Sequence, residues 1–169
     1  MGPAECRNIK GGIPSQIGAC LLLETLDLAG CTGLTSPLPE QTLGKLRSLK
    51  VLNLHMCSGI PKEIPGDIGG CGALEMLEIS GCSGIEGRIP EALSNCPHLT
   101  AVKLAGCWSL TGPLPERLGQ CKKLVHLDLR RCSGLEGGGR VIPKALLERG
   151  MKENGMLGEP DWKIDVARA

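Results

Sequence analysis

LPERLGQCKKLVHLDLRRCSGLEG, residues Leu114 to Gly137, contains the frame from which most of the chain is built. Its core is Leu124, Leu127 and Leu129, followed by Cys132. The same spacing recurs upstream as Leu99, Val102, Leu104 and Cys107, then as Leu74, Leu77, Ile79 and Cys82. Leu49, Leu52, Leu54 and Cys57 form a further copy, and Leu23, Leu26, Leu28 and Cys31 another. The five cysteines are separated by 26, 25, 25 and 25 residues. A fixed period of this length means a stacked solenoid, in which each coil buries its apolar edge only against its neighbours.

The frame L-x-x-L-x-L-x-x-C at this period resembles the leucine-rich repeat family in its cysteine-bearing form. The segments Gly12–Pro14, Gly87–Pro90 and Gly112–Pro115 are similar to the G-x-I/L-P of the plant-type variant. The resemblance covers residues 6 to 149. It implies an α/β fold: a right-handed, curved solenoid with a parallel sheet on its concave side and short helical turns on its convex side. Residues 1–149 are read as the repeats, five full copies after a partial one, and residues 150–169 as a C-terminal cap or tail.

Composition agrees with stacked coils. The chain has no Phe, no Tyr and two Trp, so its core is built from Leu, Ile, Val, Met, Ala and Cys. Nineteen basic and eighteen acidic residues leave a net charge of +1, which offers no global field for nucleic acid or an anionic membrane. No run of about 18 apolar residues could form a membrane-spanning helix. The first residues, MGPAECRNIKGG, lack the apolar stretch of a signal peptide. Cys6 stands where a myristoylation motif at Gly2 needs Ser or Thr.

Cys6 precedes Cys31 by one period, so residues 6 to 14 read as the second half of a coil whose strand is missing. Either the chain is a fragment of a longer repeat protein, or a partner covers this uncapped coil. Within each copy, segments such as Val125–Leu129 alternate as a strand with one buried face. Gly59, Gly84 and Gly134 are expected at a bend with positive φ. Pro90 and Pro115 are expected at the first position of a helical turn, with Gly18, Gly44, Gly69 and Gly119 stopping that turn. Two insertions break the period, one near Gln41 and Thr42, and one at Gly137–Arg140. The latter lacks the Lys-Ser/Thr of a P-loop and reads as a plain flexible loop. After it, Lys144 to Gly150 reads as a last short helix. The tail beyond carries Met151, Met156, Leu157 and Trp162, which could cover the final coil.

All ten cysteines fall in two columns. Six form the ladder from Cys6 to Cys132; the others, Cys20, Cys71, Cys96 and Cys121, share a slot that one copy fills with Leu46. A slot that accepts Leu is a packing position, and buried Cys behaves as a small hydrophobe. No C-x-x-C occurs, so no zinc site is expected, and no cofactor. A uniform column gives no preferred disulfide pairing. Free thiols are therefore expected, and with them a reducing, cytoplasmic compartment. The absence of an N-x-S/T sequon and of the paired-cysteine caps that extracellular relatives carry argues the same way.

The resemblance implies that recognition lies on the outward residues of the strands. The candidates are Asp27, Asn53, His55, Met56, Met76, Glu78, Lys103, His126, Asp128, Arg130 and Arg131, with Trp108 in the loop position that other copies fill with Ser or Thr. Acidic residues dominate the early copies and His126, Arg130 and Arg131 the last one, so the face is graded in charge. Arg130 and Arg131 are either carboxylate-binding anchors or a solvated edge paired to Asp128. His55 and His126 lie three copies apart, about 14 Å at the usual strand spacing, so they cannot share a metal or a proton. No catalytic set can be assembled. The expected function is a non-catalytic interaction module or scaffold that binds another protein, with no nucleic-acid partner and no membrane insertion. Alternatives are a fragment of a receptor ectodomain that senses a peptide, or the substrate-recognition part of a ubiquitin-ligase adaptor.

Overall fold

The computed structural model describes residues 8–153 and 163–165. Five three-residue strands recur at the sequence period: β1 (Thr25–Asp27), β2 (Val51–Asn53), β3 (Met76–Glu78), β4 (Ala101–Lys103) and β5 (His126–Asp128). All pair in parallel and in chain order, which sets Leu26, Leu52, Leu77, Val102 and Leu127 in one row. The strands are shorter than the alternating pattern suggests, because the inward residue after each one, such as Leu54 or Leu129, already belongs to the turn into the next segment.

That row, with the leucines and isoleucines on either side of it, forms a single continuous core. Leu52, Leu77, Val102 and Leu127 are each at most 1% exposed. Burying a side chain of this size stabilises by about 1.5–3 kcal/mol, and here every coil contributes several. Leu23, Leu26 and Leu28 in the first described strand region are only half-buried. Cys6, and with it the expected half-coil and its covering contact, lies outside the described residues.

On the opposite side each coil makes a short 3-10 turn: Ser15–Ala19, Leu43–Lys45, Gly66–Gly70, Glu91–Asn95 and Glu116–Gln120. Pro14, Pro65, Pro90 and Pro115 stand one position before the turn, in extended geometry, and not in its first helical position. Their carbonyls accept the N–H of Ile17, Ile68, Leu93 and Leu118, at 3.0 to 3.1 Å. The second coil has no such proline, and its extra residue is absorbed at Gln41, whose φ is 54°.

The glycine expectations change. Gly18, Gly44, Gly69 and Gly119 lie inside these turns and do not end them. Gly59, Gly84 and Gly134 are not among the positive-φ residues. A Cβ on Gly59 would come to 2.6 Å from the Leu34 carbonyl oxygen, and one on Gly84 to 2.5 Å from that of Ile60. Contact with the preceding coil demands glycine there; the bend itself does not.

Cys31, Cys57, Cys82, Cys107 and Cys132 are fully buried. The Sγ of Cys57, Cys82, Cys107 and Cys132 donates to the carbonyl of Leu28, Leu54, Ile79 and Leu104, one coil upstream, at 2.9 to 3.1 Å. In the second column Cys71, Cys96 and Cys121 are buried with Leu46, whereas Cys20 is exposed. Burial pushes the Cys71 and Cys107 thiols up to about 12 and those of Cys96 and Cys132 to about 11. Cys57 and Cys82 shift in the same direction for the same reason.

After β5 the inserted glycines form a kinked turn, Glu136–Gly139, in which Gly137 and Gly138 are left-handed and not helical, and α1 (Lys144–Glu153) follows, longer than the short helix expected. Its Leu146 enters the core. Beyond it, β6 (Lys163–Asp165) extends the sheet by one parallel strand, with Ile164 opposite Leu127. The expected tail thus contains a strand, although it carries no full repeat frame. Met156, Leu157 and Trp162 lie outside the described residues, and the Met151 side chain is likewise not described.

Candidate functional site

The outward positions of β1 to β5 form one face, because alternate strand residues point to opposite sides of a sheet. In the column Asp27, Asn53, Glu78, Lys103 and Asp128, four side chains are engaged with the fold. Asp27 accepts the Ala29 N–H at 3.0 Å and Asn53 that of His55 at 3.0 Å; Glu78 accepts that of Ser80 at 2.9 Å and Asp128 that of Arg130 at 3.1 Å. Each one closes the end of its strand by satisfying a backbone donor two residues on. Residues expected to recognise a partner therefore also hold the sheet edge.

Charges on the face are partly neutralised within it. Glu78 lies 3.4 Å from Lys103 and 3.8 Å from His55, and Lys50 bonds Glu24 at 2.8 Å. The Glu24 hydrogen bond and charge raise the Lys50 pKa above its ordinary value. His55 is on β2's exit and His126 on β5, with β3 and β4 between them, as the period implied. Among the described residues no group of His, Cys, Asp or Glu could hold a metal ion.

The two arginines separate. Arg130 donates to both carboxylate oxygens of Asp128, at 2.9 and 2.6 Å, and Asp128 is 4% exposed. Burial pulls the Asp128 carboxyl up, but the Arg130 hydrogen bonds and charge, with that of His126, outweigh it and hold the group below its ordinary value. The edge-pairing alternative describes Arg130. Arg131, by contrast, is exposed and forms no ion pair among the described residues.

Arg131 has another property that sequence reasoning missed. Its column is Gly30, Met56, Gly81, Gly106 and Arg131, and all five are left-handed, with φ of 72°, 61°, 77°, 76° and 61°. Glycine adopts this conformation freely, but another L residue pays about 1–2 kcal/mol. Three glycines out of five were visible in the alignment of the copies and would have marked the column. Met56 is 50% exposed, and its Sδ would lie 2.5 Å from a Cβ on Gly81, so its side chain crosses the next coil's glycine. Met76 is half-buried in the neighbouring strand.

Trp108 is 56% exposed, two residues beyond Gly106 on the same rim. Depressions lie off the sheet face. One of about 590 Å³ opens beside the Gln41 insertion, and another of about 310 Å³ lies beside the glycine insertion; strand residues line neither. No helix among the described residues is long and apolar enough to cross a membrane.

Comparison with solved structures returns repeat proteins. The chain matches the Arabidopsis receptor kinase HAESA in complex with the peptide hormone IDA and the co-receptor SERK1 at TM-score 0.58 and 30% identity, over 71% of this chain and 20% of that one. It matches the HAESA ectodomain with an N-terminally extended IDA peptide at TM-score 0.59 and 27% identity, over 75% and 23%. A Listeria monocytogenes internalin matches in fold at TM-score 0.57 and 13% identity, over 94% and 38%. This chain thus spans between a fifth and two fifths of the length of these proteins. No family model matches it, and neither does any curated protein. The comparisons do not support the cytoplasmic placement expected from free thiols. With five in-phase copies of L-x-x-L-x-L-x-x-C, parallel strands stacked coil upon coil and these structural relatives, the chain belongs to the leucine-rich repeat family.

Proposed function

We propose that this chain is a non-catalytic recognition module that binds a polypeptide along the outward face and rim of β1 to β5. The observation that carries the reading is the pair Met56 and Trp108, both at least half exposed beside the sheet in a chain with almost no aromatic residues. Neither is demanded by the core, since sibling copies place Gly or Arg at the first position and Ser or Thr at the second. Large apolar side chains left in water on a rigid rim are the usual anchors of an interface. His55, Met76, Lys103 and His126 supply the polar and adaptable surroundings on the same face.

A second reading narrows the partner to a peptide sensed by a receptor ectodomain. What supports it is the likeness to HAESA, whose solved complexes contain the peptide hormone IDA. No observation favours the ubiquitin-ligase adaptor.

The test begins with affinity capture on the wild-type chain and identification of the bound protein. That protein is then titrated against Met56→Gly and Trp108→Ala, two substitutions that keep the backbone conformations of the repeat. A loss of about tenfold or more in either variant is expected, with unchanged unfolding. Equal binding by both, combined with loss in a convex-side variant such as Lys123→Glu, would place the interface elsewhere and reject the proposal.

A further inference from the structure

Each coil has a second attachment to its neighbour, on the flank between the sheet and the turns. There the residue five places after the ladder cysteine is left-handed in four coils: Gly11, Lys62, Gly87 and Gly112, with φ of 92°, 68°, 76° and 76°. These form parallel bridges to Leu34, Ile85, Leu110 and Leu135 of the following coil. In each bridge Thr35, Glu86, Thr111 or Glu136 of the following coil donates its N–H to the carbonyl of the left-handed residue, at 2.7 to 3.1 Å. One rung is missing among the described residues. Ser36, in the coil that β1 begins, is not left-handed and forms no bridge to Ile60. The residue whose N–H would reach its carbonyl is Pro61, which has no N–H.

The flank parts at this rung. Before it the two coils are in contact, since a Cβ on Gly59 would come to 2.9 Å from the Thr32 carbonyl oxygen. After it lies the hollow of about 590 Å³, lined by Pro37, Leu38 and Gln41 from one coil and by Lys62, Ile64 and Asp67 from the next. The extra residue of the first coil bulges here, at Gln41. Carboxylates line both sides, Glu40 on one and Glu63 with Asp67 on the other, so like charges face each other across the gap.

We infer that this flank is a conformational seam: the coil of β1 swings away from the coil of β2 here, with the sheet ladder as axis, and so resets the curvature of the outward face. The inference goes beyond the proposed binding function and stands without a partner.

The ties that remain lie on the other sides of the coil. β1 and β2 are paired in register, and Cys57 Sγ bonds the Leu28 carbonyl beside them at 3.0 Å, which fixes the axis. At the turns, Asp67 Oδ2 accepts the Gly44 N–H at 2.9 Å and Cys71 Sγ bonds the Leu43 carbonyl at 3.0 Å. Neither spans the hollow's open side. With one backbone bond fewer to break, the open form should be about fivefold more populated at this seam than at the others.

Hydrogen exchange of the whole chain, read by mass spectrometry on peptic fragments, tests the seam. The amides of Ile60 and Ile68 bond the Cys57 and Pro65 carbonyls, as those of Ile85 and Leu93, and of Leu110 and Leu118, bond theirs in the next two coils. Equivalent bonds make any difference in rate a measure of opening. Exchange at Ile60 and Ile68 should be about fivefold faster than in those coils. Ser36→Gly combined with Pro61→Thr supplies both the left-handed residue and the donor. In that variant exchange should fall to the level of the next coils, and the melting temperature should rise. Thr111→Pro removes the donor to Gly87 and should carry fast exchange to Leu110. Equal rates in the wild-type coils, no slowing in the double variant, or no acceleration in Thr111→Pro would overturn the inference. None of these readouts involves Met56 or Trp108, so failure of the seam and failure of the binding face are separate results.

Discussion

Cys82 Sγ lies 2.9 Å from the Leu54 carbonyl oxygen, one full coil upstream, and both groups are sealed from solvent. The bond ties consecutive coils at the point where the strand has ended and its ladder no longer satisfies the carbonyl. Cys57, Cys107 and Cys132 repeat it.

Replacing Cys82 with Ala removes one of two donors to the Leu54 carbonyl, which keeps the Cys57 N–H at 3.0 Å, so the cost is one weak hydrogen bond and the lost side-chain volume, about 1 kcal/mol. Urea unfolding should show a lower midpoint by that amount. Cys20→Ala, at an exposed position of the second column, should stay within about 0.5 kcal/mol. Equal effects of the two substitutions would mean that the thiol bond contributes nothing beyond side-chain volume.

Glycine substitutions should divide by contact with the neighbouring coil. Gly84→Ala would drive a Cβ to 2.5 Å from the Ile60 carbonyl oxygen and 2.9 Å from that of Ser58, both backbone atoms. The stack must open to admit it, and a loss of about 2 kcal/mol or more is expected. Gly66→Ala meets nothing within 4 Å and should be neutral or stabilise by up to about 1 kcal/mol. Lys62, with φ of 68° in a column where Gly11, Gly87 and Gly112 are left-handed, is the converse case. Lys62→Gly should raise the melting temperature and Lys62→Val should lower it.

Alkaline pH should loosen the stack. The buried thiols ionise at about 11 to 12 in the fold against an ordinary value of 9.0. A group whose folded value is raised contributes its stability fully below the unfolded value and loses it as pH rises toward the folded one. The urea midpoint should be level up to about pH 8.5 and decline steadily from about pH 9 upward. A midpoint still level at about pH 11 would show that the thiols are not kept neutral by burial. Asp128 acts oppositely: its contribution is present above the ordinary carboxylate value and fades as pH falls through the lowered one.

Much of this architecture is legible in the one-dimensional pattern, because each coil repeats the same inward set. The period locates the strands, the rows of the core and the two cysteine columns, whereas the carbonyl that each ladder thiol meets is set by the neighbouring coil. Leu46 in the slot of Cys71 and Cys96 already identifies that slot as packing, and it is fully buried there. The strand in the tail is less visible, because Lys163–Asp165 holds a single apolar residue and no repeat frame around it.

The sequence by itself thus determined the solenoid, the inward and outward sides of the five repeat strands, and the places where insertions fall. It did so because those properties depend on local spacing alone. Only the tertiary structure decided why Gly59 and Gly84 are glycine, since the atoms that exclude a side chain belong to the preceding coil. It also decided which side chains are spent on the fold: Asp128 looks outward in the alternation, yet burial and Arg130 claim it. Arg131 and Arg140 share a hollow because three left-handed glycines turn the loop back on itself, a path set by backbone angles that the repeat pattern does not specify.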